Sequence, residues 1–318
     1  MAFHAAFFRE NGIMEIIYQG TDITDYVSVR KCVHRDVSGG RCDALEMELD
    51  NAARWISWGP EQDDTILVAD RGYSTGKLYL NTILPENGKY RIIATSLPST
   101  ARQRAWASFE GRTLEQIMRE CAALCTMDWR LYGIDKEIAY RYMERKNEGC
   151  AAFLDRLMRM EGAMLKCYDG RFTAIGILAA QSIQAAQHIE LHADQPGVQY
   201  KKRDSAKWAA LTVVTPYTSV TAQDDSAKTI ERRICTQCPA QDAVEAGRWA
   251  RAMLLQHNRT AEQLTLRTEF NAGMTAMARV DVTGGTDADG AWIVDEAIHD
   301  FTNRKTTTKM LRCVTSIQ

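Results

Sequence analysis

The side chains best suited to chemistry are two thiols and two imidazoles. Cys235-Thr-Gln-Cys238 has the spacing at which two thiolates chelate zinc or exchange with a disulfide. A structural zinc ion takes four ligands, however, and no second pair stands at matching spacing; Cys121 and Cys125 lie more than a hundred residues away. A redox pair would want a strand–helix–strand frame, which the pattern around residue 235 does not offer. His188-Ile-Glu-Leu-His192 would present both imidazoles on one face of a helix, but the general-base glutamate directly after the first histidine is missing. The following Asp194-Gln-Pro-Gly197 also argues against a helix there. Carboxylate pairs for glycoside hydrolysis come from distant positions, and the 41 acidic residues fall mostly on polar faces. No Gly-x-Ser-x-Gly elbow or phosphate loop is present, and Gly284-Gly285 sits between two strands as a turn. Lys201-Lys-Arg203, followed by Asp204, reads as a solvated loop. No catalytic, cofactor-binding or metal-ligating residue is assigned.

Bulk properties narrow the classes further. With 318 residues the chain can form two or three domains and bury about three quarters of its unfolded surface without staples. A formal charge of −2 gives no global attraction to nucleic acid or an acidic membrane. Nine scattered cysteines, an odd number, argue against a disulfide framework. Met1 to Glu10 is apolar but broken by His4, Arg9 and Glu10, so it lacks a signal-peptide core. The uncharged run 172–189 is interrupted by glutamines, a serine and a glycine, too polar for a bilayer span. The expectation is a soluble protein made in the cytosol, with no integral membrane segment.

The most organised stretch runs from Asn147 to Thr173. Asn147 is expected to cap a helix, with Glu148 at its positive end. Phe153, Leu154, Leu157, Met158 and Glu161 form its stripe, Gly162 stops it, and Asp169-Gly170 turns a two-residue hairpin. Before it, residues 13–97 read as β. Leu45, Met47 and Leu49 alternate with acids, 65–70, 77–84 and 90–97 are further strands, and Gly72, Gly76 and Asn87-Gly88 are turns. A small barrel or sandwich follows, with Trp55 and Trp58 packing its end. Thr113-Leu-Glu-Gln116 is a capping box for a helix buried through Leu114, Ile117, Met118, Cys121, Leu124 and Cys125. A short strand at 138–142 comes next. From about 198 the β pattern returns at 211–215, 264–270, 278–282, 291–300 and 306–317, interrupted by a helix at 241–256; Asp289-Gly290 is a turn. The fold class is α+β, mainly β, with segments 1–98 (β), 99–197 (α/β) and 198–318 (β with one helix).

This order of elements resembles the phage late control protein D family, the baseplate hub proteins of contractile tails and related injection systems. Four blocks carry the resemblance: Gly20-Thr-Asp-Ile-Thr-Asp-Tyr-Val27 with Asp43-Ala-Leu-Glu-Met-Glu-Leu-Asp50; Ser96-Leu-Pro98 with Trp106 and Gly111-Arg-Thr-Leu-Glu-Gln-Ile117; Asn147-Glu-Gly with Phe153-Leu-Asp-Arg-Leu157, Glu161-Gly162 and Asp169-Gly170; and Asp289-Gly-Ala-Trp292 with Val294 and His299. Cys235 and Cys238 are outside the pattern. The resemblance implies two tube-protein-like β-barrels flanking an α/β insert. It also implies a homotrimeric ring that adapts a six-fold tail tube to a three-fold spike, with tape-measure and other baseplate proteins as further partners. The chain ends soon after the last block, so no fused lysozyme or needle domain is expected. The role is structural rather than enzymatic, needs no cofactor, recognises no nucleic-acid sequence, and belongs to a virion or particle baseplate assembled in the host bacterial cytoplasm. A tail-associated cell-wall hydrolase and a zinc-binding structural adaptor are the alternatives.

Overall fold

A computed structural model describes residues 14–50, 52–86, 89–192 and 194–317. The Met1 to Glu10 segment and the Asn87-Gly88 turn lie outside the described residues. Alternating residues make the strands: in Ala44–Leu49, Leu45, Met47 and Leu49 are fully buried while the acids between them are half-exposed. That strand belongs to a large, mostly antiparallel sheet curled into a half-barrel. From one edge its order is Val198–Lys202, Glu262–Glu269, Lys305–Arg312, Gly290–Asp300, Val29–Val37, Ala44–Leu49, Lys89–Thr95, Leu78–Glu86, Thr65–Asp70, Glu15–Tyr18 and Thr21–Asp22. Strands from the first and last thirds of the sequence therefore share one sheet.

The strand Gly290–Asp300 makes the join. Lys305–Arg312 pairs with one side along nearly its whole length. On the other side Arg279–Thr283 pairs with residues 290–293, and Val29–Val37 takes over from Glu296 to Asp300. The register shifts between Val294 and Glu296, so Asp295 is an extra residue that bends the strand between its two neighbours. The bulge is pinned: the Ser38 amide donates to the Asp295 carbonyl at 3.0 Å, and the Arg41 guanidinium donates to its carboxylate at 3.0 Å.

Each half of the sheet covers its own apolar core. The N-terminal core includes Ile16, Leu45, Met47, Val68 and Ile92 and is closed by the helix Ala52–Trp58. Its Trp55, fully buried, stacks on Tyr90 at 5.7 Å and meets Tyr18 and Trp58 edge-on, so the tryptophans pack against this end of the sheet as expected. The C-terminal core gathers Leu264, Leu266, Val280, Val294 and Met310 around Trp292. Side chains of this size stabilise by about 1.5–3 kcal/mol each when fully buried. A third core lies among the helices Leu114–Leu124, Cys150–Met160 and Ala243–Asn258, two three-stranded sheets, and the paired strands Ala105–Thr113 and Ala139–Glu148.

Local sequence signals largely act as read. Thr113 accepts from the Gln116 amide at 3.2 Å while Gln116 accepts from the Thr113 amide at 3.0 Å, a complete capping box. Leu124 is the exception on that helix. It is exposed as the last residue of the helix, about 20° beyond Ile117 at the edge of the buried stripe. Asp169 and Gly170, with φ of 50° and 70°, turn the hairpin between Ala163–Tyr168 and Arg171–Gly176. Gly162, with φ of 68°, ends the preceding helix.

One expectation is corrected here. Asn147 does not cap the helix Cys150–Met160; Gly149 does, without a side-chain bond. Asn147 has a φ of 47° in the last turn of a ten-residue strand, Ala139–Glu148, longer than the short strand expected at 138–142. Pairing with Ala105–Thr113 extends that strand into the supposed cap. Gly149 is needed for a close approach, since a Cβ there would lie 2.8 Å from the Ala101 carbonyl oxygen. His188-Ile-Glu-Leu-His192 is not a helix face, in keeping with the Asp194-Gln-Pro-Gly197 that follows it. His188 lies on the strand Gln187–Glu190, parallel to Arg279–Thr283, and His192 lies beyond the strand's end.

Candidate functional site

The strand pair Val29–Val37 and Ala44–Leu49 is joined by a loop containing Gly39-Gly40, and this loop grips the 147–173 unit. The amides of Gly39 and Gly40 both donate to the Leu165 carbonyl, at 3.0 and 3.3 Å. Arg159 donates to the Gly39 carbonyl at 2.8 Å. A Cβ at Gly40 would lie 2.0 Å from Asp155 Cγ, and its φ is +74°, so only glycine fits.

Beneath the loop lies a buried polar knot. Lys166, on Ala163–Tyr168, donates to both carboxylate oxygens of Asp43, at 3.0 and 2.9 Å, and to Asp36 Oδ1. All three side chains are nearly sealed from solvent. Asp36 also accepts from the Ala276 amide at 2.9 Å, bringing in the C-terminal segment. Asp43 accepts from the Val37 amide at 3.0 Å, and its own amide donates to Ser96 Oγ at 3.0 Å. Alongside, His34 Nδ1 shares a hydrogen bond with the Tyr73 hydroxyl at 2.8 Å. His299, paired with His34 across the strands, sits with its ring 4.0 Å from that of Tyr73 and shares a hydrogen bond with the Met274 carbonyl.

Burial alone would lower Lys166, but Asp36 and Asp43 together carry it above its ordinary value and keep it charged. Burial would likewise raise Asp36; Lys166, His34 and the Ala276 amide bring its carboxyl below the usual range instead. Asp43 goes the other way: burial, with the neighbouring Asp36 charge, outweighs Lys166 and pushes its carboxyl up. Burial pushes His34 down to about 3 and His299 down to about 4, so both imidazoles are neutral at pH 7. One cation thus clamps two acids from the N-terminal sheet. Buried charges of this kind are costly to unpair, and the arrangement suits a fastener rather than a reaction centre.

A second fastener is Glu161. Its carboxylate accepts from Tyr140 Oη at 2.9 Å, Arg248 Nε at 2.6 Å and Trp249 Nε1 at 2.7 Å, tying the end of Cys150–Met160 to Ala243–Asn258. Cys235 ends the strand Arg232–Cys235 and is half-buried; Cys238 is buried beside it. His188 and His192 do not join them. Among the described residues no group of three or more His, Cys, Asp or Glu is gathered for a metal ion, and no helix is long and apolar enough to cross a membrane.

No protein-family model and no curated protein matches the chain. Solved structures do. The tail protein from Neisseria meningitidis MC58 superposes with a TM-score of 0.76 at 9% identity, over 94% of this chain and 96% of that one. The 43 kDa tail protein of prophage MuSo2 from Shewanella oneidensis gives 0.71 at 11% identity, over 95% and 99%. An E. coli type VI secretion component, itself described as similar to the T4 tail proteins gp27 and gp5, gives 0.57 at 10% identity, over 95% and 77%. The chain has the tail-protein fold.

Within that tail-protein fold, single residues from three of the four blocks lie at the knot or beside it. Asp43 is from the first block, Ser96 from the second and His299 from the fourth; the third lies on the 147–173 unit that supplies Lys166. Asp36, Lys166 and His34 went unnoticed in the sequence. A lone lysine in an otherwise uncharged strand, Ala-Met-Leu-Lys-Cys-Tyr, was the available signal.

Proposed function

We propose that this chain is the structural hub of a tail baseplate, in a phage or a related injection machine. Three copies form a ring in which each contributes two tube-like β lobes, so that six lobes meet a six-fold tail tube and the three-fold face receives the spike. The observation carrying this reading is the joining strand. Gly290–Asp300 holds two curled lobes, each with its own apolar core, at a fixed angle in one sheet. Agreement over nearly the full length with phage and prophage tail proteins supports it. A symmetry adaptor works through rigid, closed interfaces and needs no catalytic cleft. On this reading segment 1–98 and, from segment 198–318, the strand Val198–Lys202 and the strands within 262–312 carry the lobes, and residues 210–258 pack with the 99–197 insert. The partners are two further copies, tube protein and spike, and the working location is the particle's baseplate.

The test is electron microscopy of the protein co-expressed with tube and spike subunits from the same locus. The expected result is a three-fold ring with a central channel, tube on one face and spike on the other. A particle containing this chain at any other symmetry, or one with the chain outside the tube axis, rules the reading out.

A further inference from the structure

Cys235 and Cys238 belong to no fastener described above. The strand Arg232–Cys235 runs parallel to Ala210–Val214, with Cys235 opposite Val213, and the next regular element is the helix Ala243–Asn258. The pair therefore lies in a strand–loop–helix connection, at the carboxyl end of an edge strand. Asp242 caps the helix by accepting from the Glu245 amide at 2.8 Å.

The two thiols have unequal surroundings. Cys235 is half-buried and lines an open cavity of about 960 Å³, shared with Met160, Trp208, Arg233 and Met253. Cys238 is buried behind it, where Pro239 and the helix cap follow. Burial pushes the Cys238 thiol up to about 12, and the neighbouring Cys235 adds to the rise. One sulfur faces a space that admits a small molecule, and a second sulfur waits behind the first. A single thiol in a cavity would be a site of adduct formation only; the second makes the adduct resolvable.

We propose that Cys235 and Cys238 form a thiol–disulfide exchange site that takes small disulfides through the cavity, with Cys235 attacking and Cys238 resolving. Cys235, as thiolate, attacks one sulfur of a disulfide RSSR; its S–S bond breaks, a Cys235–S–S–R bond forms, and RS⁻ leaves and takes up the proton released by Cys235. Cys238 then loses its proton and attacks the Cys235 sulfur, expelling the second RS⁻, which is protonated in turn. The protein is oxidised by two electrons to a Cys235–Cys238 disulfide, and RSSR is reduced to two RSH. The product ties the end of an edge strand to the loop entering the helix Ala243–Asn258, fixing one wall of the cavity.

The full-length reduced protein, incubated with oxidised glutathione, alkylated without reduction and digested with trypsin, gives the readout. Cleavage after Arg233 and Arg248 places both cysteines in one peptide, residues 234–248. The expected result is a peptide lighter by two hydrogens than the dithiol, with two equivalents of glutathione released. In Cys238→Ala the peptide carries one glutathione, on Cys235; in Cys235→Ala residue 238 reacts only after denaturation. The idea is overturned if both cysteines of the native wild-type protein remain open to alkylation, or if the Cys238→Ala adduct falls on another cysteine. The wild-type readout stands whether or not either variant folds.

Discussion

The two lobes of the sheet solve the same packing problem with different residues. The N-terminal lobe is closed by a short helix that drives Trp55 between Tyr18, Trp58 and Tyr90. The C-terminal lobe has no such helix; its Trp292 comes from the sheet itself, donates to the Ala288 carbonyl at 2.9 Å, and is covered by Arg312 at 4.5 Å. One lobe is sealed by an aromatic cluster, the other by a cation over an indole. The different closures match the lack of a residue-level repeat between the two β segments.

What joins the lobes should matter more than what fills either. Lys166→Met leaves Asp36 and Asp43 buried without their cation and is expected to cost about 3–5 kcal/mol, read from urea unfolding. Restoring neutrality with Asp36→Asn and Asp43→Asn in the same chain should recover much of it. Next come the two tryptophans: Trp55→Ala and Trp292→Ala should each cost about 3–5 kcal/mol. If the joining strand makes the lobes one cooperative unit, hydrogen exchange accelerates in both lobes for either variant. Acceleration confined to the mutated lobe breaks the comparison as drawn.

Acid gives a smaller effect. The neutral His34 and His299 have folded values below the ordinary 6.5, so the unfolded chain binds more protons and stability falls as pH drops below about 6.5. Going to pH 5 costs about 2 kcal/mol per imidazole. Asp43, held above its ordinary value, works in the opposite direction by taking up a proton in the folded state as pH falls. Asp43→Asn should therefore lose stability more steeply between pH 6.5 and 4 than wild type does; an equal or shallower slope in denaturation series refutes this assignment. Smallest is Thr113→Ala, which removes one half of a capping box and should cost about 1 kcal/mol in the same assay without touching either lobe.

Features decided within a few residues were legible beforehand. The capping box at Thr113, the Asp169-Gly170 turn, the Gly162 stop and the alternation of Leu45, Met47 and Leu49 all rest on local geometry. Asn147 was misread for the same reason: it suits a cap, but pairing with a strand some forty residues earlier takes the backbone past it. The knot was out of reach because Lys166 meets Asp36 across 130 residues, and no periodicity records such a meeting. Cys235 and Cys238 were noticed, but the parallel pairing with Ala210–Val214 was not legible, because it links strands separated by the intervening strand Ser219–Gln223.

The bulged strand also sets a timetable for biosynthesis. Ser38 and Asp295 are 257 residues apart, so at about 5–20 residues per second a nascent chain waits roughly 13–50 s before the first lobe meets its neighbouring strand. Throughout that interval Val29–Val37 presents an unpaired edge, the kind of surface on which chains aggregate. A protein built this way gains from chaperones or fast translation until its final third emerges, and its yield in a foreign host should be governed by that delay more than by the strength of the finished fold.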